Sequence, residues 1–169
     1  SWQSPLSWKH RSTAGMVTLV AYGRVPSNHE WGANGIHHGS FRFEQGNPNL
    51  GTEWAVEGRF RLNHDTQSPG FHWNIQGFAA LHDGFISITP SAQFAPISHA
   101  GQIYEFLAND AFRTGLEGGV GVAFSRHSIA FDGSVLGQWD IQTGLGLPFT
   151  TPAQGRLEWE GSTPSGWSI

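Results

Sequence analysis

The chain has 169 residues, no cysteine and a formal net charge of -4, and only 13% of its residues are charged, where a soluble domain typically carries about a quarter. Disulfides, thiolate metal sites and cysteine nucleophiles are thereby excluded. With a single lysine, Lys9, and no Lys/Arg run, so is a phosphate-tracking surface, and no nucleic-acid partner is expected. Glycine (23 residues) and aromatics (13%) are abundant instead, without a composition break, which predicts one β domain over 1–169.

The first ten residues, SWQSPLSWKH, lack the apolar core of a signal peptide and start without Met, so the chain reads as a mature or trimmed product. No segment approaches the roughly 20 consecutive apolar residues of a membrane helix. From residue 15 onward the recurring period is two, broken by turn chemistry, which predicts an all-β fold with strands near 15–25, 38–46, 52–63, 70–81, 84–95, 100–108, 111–126 and 134–147. The joints are PSNHEWGANGIH, NPNLG, HDTQSPG, HDG, PISHA, ND and RHSIAFDG. The barrel core is placed at about 15–147, and 148–169 is a Pro/Gly-rich tail.

The clearest strand, TEWAVEGRFRLN, sets Trp54, Val56, Gly58, Phe60 and Leu62 against Ala55, Glu57, Arg59, Arg61 and Asn63. FRTGLEGGVGVAF and SVLGQWDIQTGLGL repeat the scheme, with Arg113, Glu117, Gln138, Asp140 and Gln142 on their polar sides. This polar set is mixed in sign, rich in Arg and amides, and free of lysine. It suits an eight-stranded barrel interior, just wide enough to be filled by side chains, with Arg and carboxylate pairing where water is scarce. The span from Phe112 to Phe124, twelve steps of ~3.3 Å tilted by ~40°, rises roughly 30 Å, near the thickness of a bilayer's apolar band.

On these patterns the chain resembles the small bacterial outer-membrane β-barrels as a class, over roughly residues 15–147. The resemblance implies an antiparallel up-and-down barrel of about eight strands, apolar side out, in the bacterial outer membrane. Pro90, inside a predicted strand, departs from it, because a closed barrel has no free edge for a residue without an N–H. The alternative fold is a soluble Gly-rich β-sandwich or barrel, secreted or extracellular.

Four residue groups are candidates for chemistry or contact. Glu57, Arg59, Arg61, Arg113, Glu117 and Asp140 form an expected ion network, read as filling rather than catalysis because cations and anions balance. His29, His37 and His38, with Glu30 in one loop, are a conceivable Zn or Cu set, but their spacing matches no metal motif and a solvated loop is the simpler reading. His127, Ser128 and Asp132 carry the residue types of a hydrolase, yet adjacent strand residues point to opposite faces, and FDGS reads as a turn. Trp31, Trp159 and Trp167, together with His37 and His38, are the candidates for ligand or partner contact.

The functional expectation is a non-enzymatic membrane barrel with a polar, ion-paired lumen, serving as anchor, adhesion or lipid-contacting surface. No cofactor is expected. The partner is outer-membrane lipid, or a protein or glycan, and oligomers are compatible. The alternative is a secreted all-β binding module or assembly subunit whose terminal arms pair with neighbours. If the chain were an enzyme, lipid or glycan hydrolysis would be its reaction class.

Overall fold

The computed structural model describes residues 1–66, 70–95 and 101–162. Its elements are β1 (Trp2–His10), β2 (Thr13–Arg24), α1 (Asn28–Gly32), β3 (Asn34–His37), β4 (Arg42–Gln45), β5 (Glu53–Asp65), β6 (Phe71–Phe94), β7 (Gln102–Phe124), β8 (His127–Asp140) and β9 (Gln154–Gly161). Seven of these strands form an antiparallel meander in the order β1-β2-β5-β6-β7-β8-β9. The all-β, antiparallel expectation is met. Among the described residues the sheet is open: β1 and β9 each have a partner on one side only.

The strand divisions differ from expectation in informative ways. HDG (82–84) and ND (109–110) are not turns, and β6 and β7 run straight through them as strands of 24 and 23 residues. At HDG the register shifts between His82 and Phe85, Gly84 takes φ +68°, and its N–H donates to Asp110 Oδ1 at 3.3 Å. This is a β-bulge, which uses the same left-handed glycine as a turn. FDGS is likewise not a turn: Asp132 and Gly133 lie inside β8, paired to Gly119 and Gly118, and the chain reverses at Ser125–Arg126 instead. Strand 38–46 contracts to β4. β1 and β9 lie outside 15–147 and widen the sheet on both sides.

Because β6 and β7 are so long, their hairpin overshoots its neighbours. β5 stops pairing with β6 at Asp83, and β8 stops pairing with β7 at Ala111. Beyond those levels the free edge of β7 takes up β4 in a short parallel contact, Phe43–Gln45 against Ile103–Glu105. The edge of β6 beyond β5 has no partner among the described residues, which is how Pro90, opposite Tyr104, fits without a donor. The buried apolar clusters lie here, where residues 25–52 pack on the hairpin: Leu50, Ile86 and Phe106 in one, Phe43 and Ile103 in the other.

The rest of the sheet has two unlike faces. On one, Trp2, Ala21, Val56, Leu81, Phe112 and Trp139 stand in a row across six strands, and further rows follow at two-residue steps. Nothing covers this face among the described residues. Trp54 is 58% exposed, Val56 53%, Val135 52% and Val120 42%, along with most of their large apolar neighbours. On the other face the sheet curls, and side chains from β1, β2, β5, β6, β7 and β8 line one cavity of about 700 Å³.

Glycines let the aromatic rings lie down. Trp8 faces Gly15, Trp54 faces Gly23, Phe60 faces Gly77, Phe78 faces Gly115 and His72 faces Gly121 across neighbouring strands. In each pair the ring occupies the space a Cβ would need. A methyl on Gly23 would sit 2.7 Å from the Trp54 ring. These are the aromatic-over-glycine pairs that hold register in curved sheets.

Candidate functional site

The alternation seen in the sequence places Glu57, Arg59, Arg61, Arg113 and Glu117 on the curled polar face, all lining the same cavity. Glu57, only 7% exposed, pairs with Arg59 two residues along its own strand. Arg61 Nε donates to Gln76 Oε1 at 3.0 Å, and Gln76 Nε2 donates to Glu117 Oε2 at 3.0 Å. The Gln76 amide therefore links a cation on β5 to an anion on β7 through the strand between them. Arg113 lays its guanidinium 5.1 Å from the centre of the Phe85 ring. Asp140 is apart from this group: it ends β8 and accepts the Thr143 N–H at 2.8 Å, closing the following turn.

The histidine loop is taken apart by the fold. His29 Nε2 contacts Glu44 at 2.7 Å, His37 Nδ1 is 3.1 Å from the Ser40 hydroxyl, and His38 is exposed. Glu30 turns instead to Arg24. Among the described residues no three His, Cys, Asp or Glu side chains gather as metal ligands. The hydrolase candidates separate too. His127 lies on the apolar face and stacks on Trp159 with ring centroids 5.9 Å apart, while Ser128, on the other face, reaches Glu160 at 3.3 Å. Asp132 lies opposite Arg156 of β9.

Trp31 is 41% exposed and donates its indole N–H to the Leu50 carbonyl at 3.1 Å, tying α1 to the start of β5. Trp159 belongs to the exposed apolar face of β9. Trp167 lies outside the described residues.

Sequence reasoning missed the polar cluster that pins residues 25–52 to the rim of the sheet. Arg24 forks between Glu30 (2.8 Å) and Glu53 (2.9 Å), and Glu53 also meets His82 at 3.0 Å. Beside it Glu44, 2% exposed, holds Arg42 at 2.6 Å and His29 at 2.7 Å. The signal was present in SNHE: Ser27 and Glu30 form a capping box, with Ser27 accepting from Glu30 N–H and Glu30 accepting from Ser27 N–H. Burial pushes the Glu44 carboxyl up, but the hydrogen bonds from Arg42 and His29 outweigh it and hold the carboxyl below its ordinary value. Glu30 behaves alike: burial is outweighed by Arg24 and the Ser27 contacts.

No family model and no curated protein matches the chain. Among solved structures, the copper transporter OprC is similar, with a TM-score of 0.75 and 14% identity, and the match covers 92% of this chain but 22% of that one. The chain thus spans about 22% of the length of that transporter. At this identity the likeness shows the fold alone, an antiparallel all-β sheet.

Proposed function

We propose that the chain is a wall of an outer-membrane β-barrel, non-enzymatic in itself, with its uncovered face against lipid and its curled polar face toward the lumen. It serves as membrane anchor, adhesion or lipid-contacting surface. One observation carries this reading: a continuous apolar face spanning seven strands, exposed in rows, opposite a polar face that curls around one cavity. A soluble protein rarely leaves so broad an apolar patch uncovered. From Trp54 to His64 on β5, ten steps of ~3.3 Å at ~40° tilt rise about 25 Å, the height of the apolar band of such barrels. Aromatics stand at both ends of the band, Trp54 and Trp139 at one, Phe71, Trp73 and Trp159 at the other.

Strand direction supports a wall rather than a complete small barrel. A seven-strand meander has its first and last strands running the same way, so joining β1 to β9 would make a parallel seam, whereas bacterial single-chain barrels are antiparallel with even strand number. Further strands between the two edges satisfy both requirements, in keeping with the share of the OprC chain that matches.

Reconstitution into bilayers containing brominated phospholipids tests the reading. Bromine quenches tryptophan on contact, so emission from Trp54, Trp139 and Trp159 should be quenched, while Trp31, held away from the apolar face, should keep its share. Unquenched emission, or a stable monomer free of detergent, would instead support the secreted all-β module whose strand edges pair with neighbours.

A further inference from the structure

The cavity on the polar face has an internal charge pattern that its ion pairs do not cancel. Three rows of side chains cross it. The row toward the rim holds Glu57 and Arg113, the far row holds Arg61, Gln76 and Glu117, and the row between is largely apolar, with Pro5, Phe78 and Leu136 beside Arg59. Three guanidiniums face two carboxylates. Arg59 is taken by Glu57, and Arg61 is linked through Gln76 to Glu117. Arg113 is left over: its Nε is buried with no hydrogen-bond partner among the described residues, and no carboxylate of those residues pairs with it. The Phe78 ring lies over Gly115 on the strand of Arg113, putting an apolar surface between that cation and Glu117. The Arg113 guanidinium rests only on the Phe85 ring, so its charge has no counterion among the lining residues.

We infer that this cavity binds a small organic monoanion, a carboxylate with an apolar body, its charged end on Arg113 and its body along Phe78, Leu136 and Pro5. The volume of about 700 Å³ is that of a small-molecule site. One carboxylate on the Arg113 guanidinium neutralises the surplus cation, while the apolar row rejects fully hydrated anions. A second positive charge on the ligand would meet Arg113 unscreened, and a neutral alcohol would leave its charge without a counterion. The inference rests on the polar face being the lumenal, cavity-bearing one and goes beyond the wall reading. The lipid-quenching experiment and the one below fail separately.

The test is titration of the refolded full chain in non-ionic detergent with hydrocinnamate, the corresponding alcohol and phenylpropylamine, followed by calorimetry. Hydrocinnamate should bind saturably, at least about tenfold tighter than the alcohol, and the amine should not bind. Arg113→Gln should erase the preference for the acid over the alcohol, while Arg113→Lys should keep most of it. Equal binding of acid and alcohol, absence of saturable acid binding, or full acid preference in Arg113→Gln overturns the inference. The comparison of acid, alcohol and amine on the unmodified chain decides charge selectivity even if Arg113→Gln does not fold.

Discussion

At the scale of single residues, the solvent of the apolar face sets what a charge costs there. Val135 lies in the central row with Phe60 and Leu116, and Val120 lies two rows nearer the end marked by Phe71 and Trp159. In a bilayer, Val135→Arg should cost ~2–4 kcal/mol, and Val120→Arg less, because the penalty falls with distance from the midplane. Equilibrium unfolding of both variants in lipid vesicles measures this gradient. Equal costs at the two depths would point to a protein-covered face. The carboxylates at the rim respond to pH in a defined direction. Glu30 and Glu44 sit below their ordinary value of 4.5 when folded, so their contribution is complete above that value and is lost as pH falls through the lower folded values. Proteolysis within residues 25–52 should therefore rise as pH drops below about 4.5, before the long strands give way.

At the scale of elements, the segment from α1 to β4 is held by a cap, a few buried side chains and a short parallel contact, whereas β6 and β7 share a ladder of nineteen residue pairs. Ser27→Ala removes one side of the capping box and should cost about 1 kcal/mol locally. Hydrogen exchange should speed up in α1 and β4 and stay unchanged in β6. Gly84→Val should be worse than its exposure suggests, since a β-branched residue at φ +68° is strained, and the bulge aligns the overshooting hairpin with Asp110. The two-face character of β5 and β8 was legible because alternation is a property of neighbouring residues. The length of β6 and β7 was not. Asp-Gly and Asn-Asp carry the same local chemistry in a bulge as in a turn, and only pairing with a distant strand decides between them. β1 and β9 escaped for a related reason: Pro5 in one and two glycines in the other weaken the local strand signal, and their partners supply the rest.

For the whole molecule, the choice of solvent follows from summing faces that are individually ambiguous. The stripe Phe112 to Phe124 reads equally well as a core or a lipid contact. Seven such stripes in register, with nothing over them among the described residues, are what the proposal of a lipid-facing side rests on. Of the sites expected from the sequence, Glu57, Arg59, Arg61, Arg113 and Glu117 come together because they share one parity on paired strands, which period two makes visible. Asp140, at the strand end, falls outside that logic, as do the loop histidines, whose positions depend on backbone turns that residue identity does not specify. The open edges matter equally at this scale. Mixed with strands from elsewhere, β1 should be the first region to acquire new hydrogen-exchange protection, and a Pro placed opposite its free N–H groups should abolish assembly while leaving β5 to β8 intact.

The aromatic rings that lie across glycines have a consequence for descent. In each of the pairs Trp8–Gly15, Trp54–Gly23, Phe60–Gly77, Phe78–Gly115 and His72–Gly121, one position is large because the other is empty. Neither can change alone without either a clash or a hole. Such positions should be inherited together, so substitutions in kindred chains are expected to come in matched couples. Those couples, read in order, would spell out which strand lies beside which.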